Sequence, residues 1–400
     1  MANVSSINCL EKRPKLRFPG FDEPYRSTQL GNIATLVNRT DPKSNAPIMM
    51  LSAGNGFIMQ SEKYSRDNAG QSLKKYILLK QGELAYNHGA SKAKQFGCCY
   101  ELTEPEARIP YVYHCFKINS HEYTPFIAMA LNNAKMDRQL KRLVSSSVRM
   151  DGLLNISFED YMSVTIHLPS SSEQKHISDF LQKIDERIAA QEKLLTSLKK
   201  YKRGVLMHYF SDDKTQLWTQ CSISQIGKVI TGCTPPTNDR SNYDGDLLFC
   251  APGDVGEQKY ISSTEKRVSS KGFALGRPLP PNSVIVTCIG LIGKLGIAKT
   301  SMITNQQINA LVVSDGFDHE FIYYAFENFF PEYRSKVSMQ TLPILSKSEF
   351  EKLIIKVPDL DVQHKISSHL AAMDRRIEHT QQELNALIEH RRGVMQQLFI

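Results

Sequence analysis

The residue types that most often carry enzyme chemistry occur in this 400-residue chain, but their spacing matches no catalytic motif and no metal site. Neither G-x-S-x-G nor H-E-x-x-H is present, and the glycine-rich run Gly290–Gly296 has Leu295 where a phosphate-binding loop needs Ser or Thr. The eight cysteines include no C-x-x-C pair, which favours buried, reduced thiols over metal ligation. The sequence therefore contains no recognisable catalytic motif, and we expect no metal site.

Basic side chains are the remaining candidates for a functional site, because Lys and Arg contact the phosphates of nucleic acids. The net charge of +8 permits such binding without proving it, since many proteins of other kinds are equally basic. A solvated polar face is the alternative interpretation of the same residues. The candidate DNA-binding residues form one cluster in each half of the chain: Lys74, Lys75, Lys92 and Lys94, then Lys259, Lys266, Arg267, Lys271 and Arg277.

An internal repeat identifies the elements that would position these clusters. The run KRGVLMHYF at Lys202–Phe210 returns as RRGVMQQLF at Arg391–Phe399, an offset of 189 residues. At the same offset, residues 174–210 show 13 identities in 37 positions without a gap. A repeat of this length indicates a duplication whose period is about half of the chain.

Apolar residues in both copies recur at alternating steps of four and three, as they do along the seam of a coiled coil. Polar residues fill the same two seam positions in each copy, Gln191 and Lys202 in the first and Thr380 and Arg391 in the second. Because polar seam residues fix register, these matched gaps predict that the two helices pair with each other rather than packing separately on their own domains. The predicted helix-pair seam consists of Ile177, Leu181, Ile184, Ile188, Leu195, Leu198, Ile366, Leu370, Met373, Ile377, Leu384 and Leu387.

Four consecutive segments are predicted: a first domain at 1–173, a helical spacer at 174–210, a second domain at 211–362 and a second spacer at 363–400. Since the chain must leave the first helix, form a domain and return, we expect the helices to run antiparallel. The predicted fold class is α+β, with two globular α/β domains joined by two long helices that form an antiparallel coiled coil in a pseudo-twofold tandem repeat.

The two predicted domains share short phrases, such as LGNIATL at Leu30–Leu36 and IGKVITG at Ile226–Gly232, but differ elsewhere. Short β-rich runs broken by Gly, Pro and Asn dominate both, and the best helical stretches are Thr124–Leu143 and His319–Ser335. No apolar run approaches the roughly 20 residues of a membrane span, and the polar N-terminus is unlike a signal peptide. A cytoplasmic protein is therefore expected.

Several of these elements resemble the specificity subunit of type I restriction–modification systems. The resemblance depends on SEQKHISDFLQKIDERI and DVQHKISSHLAAMDRRI in the two helices, on PPNSVIVTCIGLIGKLGIAK, and on TNQQINAL at Thr304–Leu311. The tandem arrangement with TNQQINAL between the helices is more specific than the helices alone. The sequence departs from the family's usual Glu-Gln at Asp361-Val362-Gln363, and the first domain lacks a clear NQQ run.

The resemblance implies a DNA sequence-recognition subunit with two target-recognition domains, each reading one half of a bipartite, asymmetric site in double-stranded DNA. It also implies helical spacers that set the gap between the half-sites and seat two modification (methyltransferase) subunits. Those subunits would hold S-adenosylmethionine and methylate adenine at N6, and restriction subunits (ATP-dependent translocase and nuclease) would use ATP and Mg. The resemblance implies no cofactor and no catalysis in this chain. A coiled-coil scaffold with two protein-binding heads and no DNA binding is one alternative, and a fused or cryptic methyltransferase or nuclease is the other.

Overall fold

The chain divides into two compact units. Its computed structural model describes residues 12–63, 70–91, 94–119, 121–144, 154–256, 258–337 and 343–400. The first unit is Met1–Ala190 with Glu383–Ile400, and the second is Gln191–Gln382. Each unit contains one head, which is the globular part before a long helix, together with segments of both long helices. This division differs from the four predicted segments because the helix segments share a hydrophobic core with the head of their unit.

Two helices of 39 residues each follow the repeated heptad pattern, and each extends roughly 58 Å at 1.5 Å per residue. The predicted α+β fold with two heads and two long helices is confirmed. The α-helices of the described residues are α1 (Gln60–Lys63), α2 (Thr124–Ala130), α3 (Ala134–Leu143), α4 (Phe158–Met162), α5 (Ser171–Tyr209), α6 (Asp212–Thr215), α7 (Ile223–Ile226), α8 (Ser270–Leu275), α9 (His319–Val337), α10 (Lys347–Lys352) and α11 (Leu360–Leu398).

The strands of the first head are β1 (Arg26–Gln29), β2 (Ala34–Leu36), β3 (Met49–Ser52), β4 (Gly56–Met59), β5 (Ile77–Lys80), β6 (Leu84–Asn87), β7 (Cys98–Glu101), β8 (Glu106–Ile109), β9 (His114–Ile118) and β10 (Thr165–Leu168). They form a four-stranded sheet in the order β2-β9-β6-β7 and the pairs β1-β10, β3-β4 and β5-β8. These pairings are antiparallel.

The strands of the second head are β11 (Thr219–Ser222), β12 (Gly227–Thr231), β13 (Tyr243–Cys250), β14 (Tyr260–Ile261), β15 (Lys266–Val268), β16 (Val284–Thr287), β17 (Leu295–Ala298), β18 (Met302–Thr304), β19 (Ile308–Val313) and β20 (Ile354–Val357). They form the sheets β12-β19-β16-β17-β14 and β15-β13-β18 and the pair β11-β20. The β14-β17 and β13-β18 pairs are parallel, and the others are antiparallel.

The central sheets of the two heads share a strand order, since β2-β9-β6-β7 corresponds to β12-β19-β16-β17. The similar sequence motifs lie at equivalent positions of the two sheets, because LGNIATL contains β2 and IGKVITG contains β12. The second head adds β14 to this sheet, and other strands differ, with β3-β4 and β5-β8 in the first head and β15-β13-β18 in the second. The duplication therefore extends into the heads, and divergence is concentrated at their periphery.

Each head is entered and left through a two-stranded antiparallel sheet. Arg26 of β1 faces Leu168 of β10 in the first head, and Thr219 of β11 faces Val357 of β20 in the second. A proline follows each exit strand, where its fixed φ and missing N–H end the strand pairing, and the long helix begins two residues later. The base of each head is therefore the start of a long helix.

The helix predicted at Thr124–Leu143 is two helices, because the chain turns at Leu131–Asn133 between α2 and α3. The side chain of Asn133 accepts hydrogen bonds from the backbone N–H groups of Lys135 and Met136 and so caps α3. In the second head, α9 covers the predicted stretch as one helix.

Residues of the long helices complete the core of each head. In the first unit, Ile177 and Leu181 of α5 and Leu398 of α11 pack with Phe126 and Tyr161 of the head. In the second unit, Leu206 of α5 and Ile366 and Leu370 of α11 pack with aromatic side chains of α9. Burying each such aliphatic side chain contributes roughly 2 kcal/mol, so neither head has a complete core without its helices.

The described cysteines form no disulfide bond. Burial raises the pKa of the Cys98 thiol to about 11 and that of Cys250 to about 12, which keeps both groups neutral. None of the helices in the described residues is long and apolar enough to cross a membrane.

Candidate functional site

The predicted seam residues all lie at least partly buried. Half of them are buried, namely Ile177, Leu181, Leu195, Ile366, Leu370 and Leu384. The other half are partly buried, namely Ile184, Ile188, Leu198, Met373, Ile377 and Leu387.

In the first unit, the beginning of α5 and the end of α11 run antiparallel. Arg391 donates two hydrogen bonds to Asp185, with Nη2 2.9 Å from Oδ2. Nearer the start of α5, Ile177 shares a core cluster with Leu398, which lies nearer the end of α11. Residues nearer the start of α5 therefore lie beside residues nearer the end of α11.

In the second unit, the remaining helix segments also run antiparallel. The Nζ of Lys202 lies 2.7 Å from Oδ1 of Asp374. Further along α5, the hydroxyl of Tyr209 lies 2.7 Å from Nδ1 of His369, which precedes Asp374 on α11. Gln191 donates from Nε2 to the carbonyl oxygen of Thr380 at 3.4 Å, so one pair of predicted polar seam residues is joined directly.

The two ion pairs occupy equivalent positions of the repeat. Lys202 and Arg391 are the matched basic residues of the seam, and Asp185 and Asp374 are an identical pair at the same offset. In each unit, the basic residue of one copy pairs with the aspartate of the other copy. These crossed pairs favour one register, because a shifted helix would leave the charges without partners.

Lys202 is the more enclosed of the two cations, with 12% of its side chain exposed against 30% for Arg391. It also contacts a second carboxylate, Glu327 of α9, at 2.9 Å, and so joins α5, α9 and α11. Burial by itself lowers the pKa of Lys202, but the nearby carboxylates of Glu327 and Asp374 outweigh that effect and the pKa is raised. The ammonium group is therefore held charged at the base of the second head.

Replacing Lys202 with Met should lower the free energy of unfolding by about 3 kcal/mol, because Glu327 and Asp374 would remain close together without a cation. Arg391→Met should cost less, since its pair is more exposed and has one carboxylate. Urea unfolding followed by circular dichroism measures both. Lys199→Met, an exposed change on the same helix, is the control. Equal effects of all three changes would contradict this role of Lys202.

The same variant has a pH test. Because the pKa of Lys202 is raised above its ordinary 10.5, the stabilisation is complete below that pH and is lost as the pH rises through the folded-state pKa. The difference in stability between the native chain and Lys202→Met should therefore shrink above about pH 10.5. A constant difference through that range would show that the charge is not its source.

Lys259 is not available to a DNA phosphate, which corrects its prediction as a binding residue. Its Nζ lies 3.1 Å from Oε2 of Glu320 and 2.9 Å from the hydroxyl of Tyr324, and it sits 4.4 Å from the centroid of the Tyr324 ring. Burial lowers the pKa of Lys259, and Glu320 offsets this only in part. Its cation–π and ionic contacts are internal to the second head.

The other predicted basic residues of the second head lie along one strand–helix segment. Lys266 and Arg267 are exposed on β15, and Lys271 and Arg277 lie on α8 and just after it. Lys271 pairs with Asp239 at 2.7 Å, and Arg277 donates to the carbonyl oxygen at the end of β12 at 2.9 Å. Among the described residues, Lys266 and Arg267 have no carboxylate in ion-pair contact, so their charges remain available.

In the first head the predicted basic residues differ in their exposure and in their contacts. Lys74 and Lys75 are exposed at the end of a short 3-10 turn. Lys94 donates from Nζ to the carbonyl oxygen of Asn132 at 2.9 Å, which occupies part of its hydrogen-bonding capacity. Lys92 lies outside the described residues. Across the described ranges, no group of three or more His, Cys, Asp or Glu side chains is arranged to hold a metal ion.

A buried glutamine, not singled out from the sequence, ties the first head to its helix. Gln174 of α5 accepts a hydrogen bond at Oε1 from the backbone N–H of Tyr123, the N-cap residue of α2, at 2.9 Å. Its Nε2 donates to the carbonyl oxygen of Pro169, which follows β10, at 3.0 Å, and also to Glu122.

The equivalent glutamine makes the same two bonds to backbone groups in the second unit. Gln363 of α11 accepts at Oε1 from the N–H of Asp318, which precedes α9, at 2.9 Å, and donates to the carbonyl oxygen of Pro358 at 2.8 Å. Both glutamines are identical across the repeat, as Pro169 and Pro358 are. Their polar identity among apolar seam identities is the signal in the sequence that would have indicated them.

Comparisons with known families and structures agree on one class of protein. The profile described as "Type I restriction modification DNA specificity domain" matches residues 53–200 and 216–390, one match in each half of the chain. The crystal structure of the S subunit of a type I restriction–modification system from M. genitalium has a similar fold, with a TM-score of 0.62 and 14% identity. The alignment covers 97% of this chain and 99% of that one.

Two curated relatives are similar over shorter stretches. The MjaIX type I restriction enzyme specificity subunit of Methanocaldococcus jannaschii is 30% identical over 178 residues, which is 43% of this chain and 41% of the relative. The HindI specificity subunit of Haemophilus influenzae is 30% identical over 108 residues, which is 26% of this chain and 24% of the relative. In these matches the chain spans less than half the length of each curated relative.

Proposed function

This chain belongs to the type I restriction modification DNA specificity family, and on that premise we propose that it recognises a bipartite, asymmetric site in double-stranded DNA. Each head reads one half of the site, and the helix pair sets the gap between the halves. The family match in each half of the chain is the observation that carries the proposal.

The division between shared and divergent structure supports this function. Both heads keep the same central sheet order, and both are tied to a long helix through the same hydrogen bonds. Their peripheral strands differ, and in the second head exposed basic residues lie on one of those strands, β15. A shared frame with different surfaces suits a protein that must read two different sequences.

The partners follow from the same proposal. The long helices seat two modification subunits, which bind S-adenosylmethionine and methylate adenine at N6, and restriction subunits add ATP- and Mg-dependent translocation and cleavage. This chain supplies sequence recognition and no catalytic group or cofactor site of its own.

A salt titration of DNA binding tests the proposal. The complex of this chain with its modification subunits should bind the duplex that it methylates with a steep negative slope of log affinity against log salt, because bound cations are released from DNA. Replacing both Lys266 and Arg267 with Gln should reduce the slope by about 2, one for each phosphate that the variant no longer neutralises.

The matched control removes two charges elsewhere in the same head. Lys347 and Lys352 are exposed on α10, beside the exit strand at the base of the head. Replacing both with Gln should leave the slope within about 0.5 of the native value. No measurable DNA binding by the native complex would refute the proposed function, and equal slopes for both double variants would refute the assignment of β15.

A further inference from the structure

We infer that Gln174 and Gln363 are positioning residues: each holds the direction in which its head leaves the long helix, and so determines how well both halves of a DNA site are bound at once. This inference deepens the proposed function and rests on it.

Each glutamine side chain joins three parts of its unit through one planar amide. The amide projects from a long helix, accepts the N–H at the start of a head helix, and donates to the carbonyl of the proline that ends the last strand of the head. A rotation of the head that moved the start of its helix away from the glutamine would break the bond to that N–H.

Burial makes the two hydrogen bonds difficult to replace. Gln174 is 0% exposed and Gln363 is 2% exposed, so water has little access to satisfy a broken bond. A buried donor or acceptor left without a partner costs more than an intact bond contributes. We call the connection that each glutamine makes between its head and its long helix the joint. The joint therefore has one favoured geometry rather than a range of similar ones.

The same joint is built with different head residues. The N–H donor belongs to Tyr123 in one unit and to Asp318 in the other. Tyr123 makes no side-chain capping bond, whereas Asp318 accepts from the N–H of Glu320 at 3.1 Å. The bond to glutamine is the same in both units although the capping of the head helix differs. We therefore infer that this bond fixes the joint and is not needed to form the head helix itself.

The test compares binding of a full site with binding of a single half-site. Gln363→Met removes both hydrogen bonds with little change in volume. In the complex with modification subunits, affinity for a duplex carrying both half-sites should fall about tenfold. Affinity for a duplex carrying only the second head's half-site should stay within about twofold. Gln382→Met, an exposed change on the same helix, should alter neither affinity.

Gln174→Met repeats the experiment in the other unit, with the first head's half-site as the single-site duplex, and thermal melting is recorded for every variant. Parallel losses on both duplexes, or loss of folding in both variants, would overturn the inference, because the glutamines would then serve the stability of the heads. Unchanged affinities on both duplexes would overturn it as well. If the native complex bound full-site and half-site duplexes equally, the proposed bipartite reading would fail first, and the inference would fall with it.

Discussion

Exchanging residues 211–362 for the second head of a relative should replace one half of the methylated site and leave the other half unchanged. The exchanged segment includes β11 and β20, which pair with each other, so the strands that begin and end the head are exchanged together. Gln363 lies on α11, outside the exchanged segment, and to form its bond with the head it needs only a backbone N–H at the start of the incoming head helix. Methylation of the original site should fall below detection, because one half-site would no longer be recognised.

Sequencing of methylated adenines in cells that carry the exchanged chain and its partner subunits would measure this result. The reciprocal exchange of the first head, residues 1–173, serves as the control and should change the other half-site. An exchange that altered both halves together would contradict the assignment of one half-site to each head.

Replacing Leu195 and Leu384 with Asp should abolish both the stable fold and co-purification with modification subunits. Leu195 is 7% exposed and Leu384 is 6% exposed, so each change buries a charge without a partner. Each should cost several kcal/mol, and the two together approach the total stability of an ordinary domain.

Leu194 provides a control one position away. It is 40% exposed, so Leu194→Asp places the same charge in solvent and should leave the melting temperature nearly unchanged. The contrast is measured by thermal melting of the purified chain and by affinity capture of the complex. A soluble double variant that melted like the native chain would show that these leucines do not lie in a buried seam.

The long helices were predictable because their signal is local and repeated. Apolar residues at steps of three and four over five heptads define a helix face, and Pro169 and Pro358 mark where each helix cannot yet have begun. The partners of the polar seam residues were not predictable in the same way. That Lys202 meets Asp374, and not Asp185 of its own copy, depends on the antiparallel register, which only the folded units reveal.

The heads were less predictable, because their contacts join distant parts of the chain. Lys259 belongs to a basic cluster in sequence, but in the folded head it forms an ion pair with Glu320 and a hydrogen bond with Tyr324, some 60 residues later. The break between α2 and α3 was missed because Asn133 acts as a cap within an otherwise helical pattern. Strand order is also a non-local property, so the short β-rich runs of the sequence predicted strands without predicting which strands pair.

The joint made by Gln174 and Gln363 has a consequence for how such a protein changes over generations. Gln363 bonds only to backbone groups, those of the proline and of the residue at the start of the head helix. Gln174 bonds chiefly to the equivalent backbone groups of the first unit. Every amino acid except proline supplies the required N–H, so substitutions at the start of the head helix, other than to proline, keep this hydrogen bond. Under the proposed function, a mutation on the surface of a head that gives it a new base preference needs no compensating change of the glutamine, so recognition can drift in one half of the chain while the other half keeps its inherited target.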